Sequence, residues 1–138
     1  MHPPLRRALA LLLLVAALLV NVLATGPVLA APVEWREVPS RPEGRQWWDA
    51  GSLRATRAGH LSVLSRFQPA ADPEQPDGRP PLGELYVMEI DCAQRLFRDV
   101  SVNGLPQFRS TWQLGSDDAL IGDVIEAVCI AGAPLLPG

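Results

Sequence analysis

The chain has 138 residues, with 12 basic and 15 acidic side chains and a formal net charge of −3. That balance sets aside a nucleic-acid-binding module, which needs a clustered basic surface, and the length allows one small domain around one core. Every basic residue is an arginine, in a chain rich in Ala, Leu, Pro and Gly, as expected of a GC-rich bacterial genome.

The first thirty residues read as an export signal. Arg6 and Arg7 give a positive start, Ala8 to Val20 is an unbroken apolar run, and Val28-Leu29-Ala30 sets slim residues before Ala31-Pro32. This is the three-part pattern of a secretory signal peptide, with cleavage expected after Ala30, or after Ala31 as the near alternative. The stretch Ala8 to Ala24 is about 17 residues, the lower limit for a spanning helix, and Asn21, Gly26 and Pro27 argue against an uncleaved anchor. No cysteine stands at the cleavage point, so no lipobox and no lipid anchor are expected. The remainder, 31–138, is expected to be a single domain in the periplasm or outside the cell. It keeps ten basic residues against fifteen acidic ones, a net charge of −5.

Strands come first in that domain. Val33 to Val38 alternates around Trp35. Gln46 to Asp49 and Leu53 to Arg57 are short strands separated by the turn residues Ala50-Gly51-Ser52. His60 to Gln68 puts Leu61, Val63 and Phe67 on one face and Ser62 and Arg66 on the other, the period of a half-buried antiparallel strand. From Pro69 to Gly83 prolines recur among acidic residues and glycines, so no regular ladder can form; this is a long flexible loop. Glu84 to Cys92 is the best-defined strand, with Tyr86, Met88, Ile90 and Cys92 on its more apolar face. Arg95 to Val102 follows, with Leu96, Val100 and Val102 on a common face. Asn103-Gly104 is a hairpin turn, since both residues tolerate positive φ. The returning strand is Leu105 to Gln113, turning Phe108 and Trp112 to one side. The end of the chain changes period. Ser116 is the expected N-cap, with Asp117 and Asp118 on the first turn, where the helix dipole favours negative charge. Leu120, Ile121, Val124, Ile125, Val128 and Cys129 then recur at helical spacing, until Gly132 and Pro134 stop the helix. The fold class is therefore α+β, an antiparallel sheet of about six strands with one C-terminal helix packed on one face.

Cys92 and Cys129 are the only cysteines. One belongs to the inward face of a strand and the other to the buried stripe of the helix. In an exported chain such a pair is expected to form a disulfide joining strand to helix. A redox-active pair is expected to be closer in sequence and more exposed.

The chain carries no GxSxG nucleophile motif, no Gly-rich phosphate loop and no cluster of metal-ligating residues. No catalysis, metal or cofactor is expected. His60, the one histidine of 31–138, falls at a turn and reads as solvated. Asp91, Arg95, Arg98 and Asp99 gather around the turn between two strands, as an ion-pair network or as a site for an anionic ligand. Trp47 and Trp48 are neighbours on a strand and must point to opposite faces. One of the two indoles is then available to a partner, because tryptophan is enriched at protein interfaces, unless tail residues such as Leu135 and Leu136 cover it.

The run Tyr86-Val-Met-Glu-Ile-Asp91-Cys92, followed by Arg95, Arg98, Trp112 and a helix bearing Val128-Cys129, resembles the surface-adhesin protein E-like family. Trp35, Trp47-Trp48-Asp49 and Ser52 fit the same pattern, and the resemblance runs roughly from Trp35 to Ala131. It implies an antiparallel sheet with a C-terminal helix on its concave face, tied by a disulfide. The chain departs from the family's adhesin in lacking a lipid-anchor cysteine and any lysine. The expected function is an exported binding or accessory module of a bacterial envelope, with another protein as its partner. The alternatives are an oligomer-forming envelope subunit that pairs edge strands and a periplasmic enzyme using carboxylates such as Asp49 and Asp91.

Overall fold

Alternation of apolar and polar residues builds the middle of the sheet, and a 3.6-residue stripe builds the helix that covers it. A computed structural model of the chain describes residues 3–24, 30–79 and 81–138. Gly26, Pro27, Val28 and Leu29 of the proposed cleavage region, and Pro80 of the loop, lie outside the described residues. The chain divides into two units, 1–30 and 31–138. The first contains one helix, α1 (Pro3–Ala24), whose leucines from Leu5 to Leu19 are all exposed.

The second unit contains β1 (Trp35–Glu37), β2 (Gly44–Asp49), β3 (Arg54–Ala55), β4 (Leu61–Pro69), β5 (Glu84–Asp91), β6 (Leu96–Val102), β7 (Leu105–Pro106), β8 (Gln113–Leu114) and α2 (Ala119–Gly132). One antiparallel sheet runs β1-β2-β4-β5-β6-β7, with β3 paired to β4 and β8 to β6. The register sets Leu61 opposite Ile90, Val63 opposite Met88 and Ile90 opposite Phe97. These side chains and Trp48 form the floor on which α2 lays Leu120, Val124, Ile125 and Val128; all are buried. Gly132 permits the closest approach, because a Cβ there would stand 2.3 Å from Leu61 Cδ1. Cys92 and Cys129 are joined across the same interface with their Cα atoms 5.7 Å apart.

Three local expectations are corrected. Leu105 to Gln113 is not one strand. Pro106 has no N–H to continue the ladder, and after Gln107 donates to Val100 O the chain leaves the sheet until β8. Phe108 is 94% exposed, while Trp112 folds back onto the sheet beside His60, so the two do not share a side. The N-cap of α2 is Asp118 and not Ser116, which lies in a preceding 3-10 turn; the Asp118 carboxylate accepts from the backbone of both Leu120 and Ile121. A carboxylate in the extended cap position serves two orphan donors and the helix dipole at once. Finally, β6 carries an irregularity opposite Val87 and Met88. The extra residue there is Val100, and a bulge of this kind changes the side-chain phase. Leu96 and Val102 consequently lie on opposite faces. The hairpin turn is as expected, with positive φ at Asn103 and Gly104.

Candidate functional site

The sheet face turned away from α2 carries two clusters of charged and aromatic residues. Period two places Glu37 of β1, Arg45 and Trp47 of β2 and Arg66 of β4 on it, with Glu37 and Arg66 flanking Trp47 in register. Arg45 grips Glu37 with two hydrogen bonds of 2.6 and 2.8 Å. Its guanidinium lies 4.8 Å from the centre of the Trp47 ring. Arg66 sits 4.3 Å from the same ring and 5.3 Å from that of Trp35. The Trp47 indole is thus held by two cations, each contact stabilising by about 0.5–1 kcal/mol at an exposed site. The Arg45 hydrogen bond holds the Glu37 carboxyl below its ordinary range. Trp48 points the other way and is 3% exposed in the core. The half-buried Trp47 is the outward member of the pair. Leu136 packs against the core, while Leu135 is exposed.

A second cluster occupies the same face nearer the β5–β6 turn. Arg98 donates to Glu89 Oε2 from Nε at 2.8 Å and from Nη2 at 2.6 Å. His60 Nδ1 stands 2.9 Å from the other oxygen of Glu89, and its Nε2 3.7 Å from Asp91. An ionised carboxylate only accepts, so Nδ1 carries the proton. Trp112 closes the cluster, edge-on to His60 at 5.0 Å and under the Arg98 guanidinium at 4.8 Å. Burial works to raise the Glu89 carboxyl, but hydrogen bonds and charge from His60 and Arg98 outweigh it and leave it below its ordinary value. Asp91 is likewise lowered on balance: against burial stand hydrogen bonds from Gln94 and the charge of His60.

The four residues anticipated as one cluster are divided by this geometry. Arg98 reaches Glu89 and not Asp91. Asp91 folds the turn, accepting from the backbone and side chain of Gln94. Arg95 is exposed at positive φ in that turn. Asp99 points to the α2 side, into a cleft with Glu84 and Tyr86. His60, read as a solvated turn residue, is held between two carboxylates under an indole. Glu89 and His60 were missed because their pairing spans 29 positions, and only the β4–β5 register brings them together. Asp49, a candidate carboxylate, is buried and accepts from the backbone of Gly51 and Glu34. Among the described residues, no group of three or more His, Cys, Asp or Glu side chains is placed to hold a metal ion.

A family model for surface adhesin-E proteins matches residues 36–135. The chain belongs to the surface adhesin-E family. The matched span covers the sheet from Arg36 onward and α2 of this adhesin-E chain, and with them both cysteines, Trp47 with Arg45 and Arg66, and the His60 cluster. No curated protein and no solved structure matches the chain. An envelope-associated protein of adhesin type accords with the disulfide, which forms and persists in oxidising compartments outside the cytosol.

Proposed function

We propose that this adhesin-E chain is a non-catalytic binding module of the bacterial envelope, exported by a cleaved N-terminal signal and docking another protein on the sheet face away from α2. The observation that carries the reading is Trp47, on the sheet face away from α2 with the Arg45 and Arg66 guanidinium groups over its ring. Tryptophan and arginine are the residue types that dominate binding energy at interfaces, and an indole already fixed by two guanidinium groups loses little freedom on binding. The carboxylates that an enzyme would use are engaged in holding turns, Asp49 at the 3-10 turn after β2 and Asp91 between β5 and β6.

The docking test places a photo-crosslinking amino acid at Leu85, which is exposed and lies in register beside Arg66. One discrete adduct in intact cells is expected, weakened at least tenfold by Trp47→Ala while the variant still folds. No adduct, or one indifferent to Trp47→Ala, rejects the docking face.

Export is tested separately by the intact mass of the protein recovered from the envelope. The expected chain begins at Ala31 or Pro32 and carries no free thiol. A mass that includes residues 1–30 counts against a cleaved signal.

A further inference from the structure

The seam between the sheet and the start of α2 is not closed. A cleft of about 240 Å³ opens there, with Phe97 and Ile121 among its apolar walls and Glu84, Asp99 and Asp118 among its polar ones. Among the described residues no basic side chain lines it.

The cleft is rich in acceptors, joined by the Gln113 amide and the Tyr86 hydroxyl, and among the acceptors Asp99 and the Gln46 carbonyl receive no hydrogen bond from the described residues. Asp118 is occupied in capping α2, and Glu84 receives the Tyr86 hydroxyl. Asp99 makes no hydrogen bond and no ion pair among the described residues. Arg109 borders a neighbouring depression together with Asp99 but forms no ion pair with it. Gln46 is 2% exposed. Its Nε2 donates to Ser65 Oγ, and the Ser65 hydroxyl donates onward to Trp47 O. That chain fixes the orientation of the amide and leaves Gln46 Oε1 without a donor, although it lines the cleft. The atom is open to the cleft rather than sealed, since no fully buried side-chain N or O atom among the described residues lacks a partner, and it can accept from an N–H that enters.

The rest of the molecule shows what such a place normally holds. Arg45 lies between Glu37 and Trp47, Arg98 between Glu89 and Trp112, and Arg36 between Glu34 and Trp48. Each is an arginine set between a carboxylate and an aromatic ring. The cleft repeats the carboxylate and the ring, with Asp99 and Phe97 two residues apart on one face of β6, and lacks the arginine.

We propose that the cleft receives an arginine side chain presented by a partner protein. A guanidinium has five N–H donors and no acceptor, pairs with a carboxylate in bidentate fashion and stacks on aromatic faces. A lysine ammonium would satisfy the charge but not the plane. The size agrees, because cofactor-sized and drug-sized sites occupy about 300–1,000 Å³ and this one suits a single side chain. Burial, with the charge of Glu84 behind it, raises the Asp99 carboxyl to about 6, the condition of an anion still lacking its cation. The site lies on the α2 side of the sheet and so stands independently of the Trp47 face.

The experiment is a nuclear magnetic resonance titration of the full chain with Nα-acetyl-arginine amide, set against the neutral isostere Nα-acetyl-citrulline amide. Shifts at the Gln46 side-chain amide, Phe97 and Ile121 are expected with the arginine probe alone. Asp99→Asn is expected to weaken its binding at least tenfold, with the remainder of the spectrum showing the fold intact. Equal binding of the citrulline probe overturns the proposal, as do shifts confined to other surfaces or undiminished binding by Asp99→Asn.

Discussion

Replacing both Cys92 and Cys129 by alanine is expected to lower the unfolding free energy by about 4 kcal/mol. The two sulfurs close a loop across a sequence separation of 37, and the cost is the loop-closure entropy returned to the unfolded chain. Small domains have a total of about 5–15 kcal/mol to lose, so the variant is expected to be marginal at 37 °C. Cys129 lies in the last turns of α2, where Gly132 makes the closest helix–sheet approach, so this end of the helix should loosen first. Urea unfolding of the oxidised protein beside the double variant measures the difference. A change below about 1 kcal/mol would mean that the α2 interface holds without its staple and that the entropic account fails.

Asp99→Asn is expected to act in the opposite direction, raising stability at pH 7.5 by about 1–3 kcal/mol. The carboxyl titrates near 6 in the folded protein and near about 3.9 in an unfolded chain. Below the lower value both states hold the proton and the side chain costs nothing. Between the two values the unfolded chain ionises first, so stability falls as pH rises, and above about 6 the full cost is present. The upper end of the range is the whole two-unit shift; the lower end allows for solvent reaching a partly exposed group. Glu89 and Asp91 run the other way, because their folded values are depressed. Their stabilisation is present above the unfolded carboxylate range and disappears as acid protonates them. Unfolding of the wild type and Asp99→Asn at pH 3.5, 5 and 7.5 separates the two behaviours. Curves that coincide at pH 7.5 would refute the strain at Asp99. Coincidence at pH 3.5 and divergence at 7.5 is the expected pattern.

Much of the architecture was legible because it rests on short-range periodicity. Leu61, Val63, Met88 and Ile90 declare their face by alternation, the helix stripe declares itself at 3.6, and the cysteines become a strand–helix joint once those faces are assigned. The Trp47–Trp48 split also follows from pleat geometry alone. Other features depended on register. The Glu89–His60–Arg98 cluster assembles from three segments, and nothing near His60 in sequence announces its carboxylates. Asp99 was grouped with Asp91, yet it follows Arg98 by one residue along β6, and the pleat turns it to the opposite face of the sheet. Trp112 was placed on a strand that Pro106 prevents. The cleft was invisible for a different reason: it is a space left by the packing, defined by the angle at which α2 meets the sheet, and no residue pattern encodes that directly.

The strand–helix joint has a mechanical consequence. Because Cys129 is bonded to Cys92, tension applied at the C-terminus passes into β5 at the centre of the sheet without first unravelling α2. The chain across this sequence separation of 37 cannot be drawn out, which withholds about 120 Å of extension at roughly 3.3–3.6 Å per residue. A chain built in this way stays short under load, and β6 and most of α2 remain inside the locked loop while the chain outside it gives.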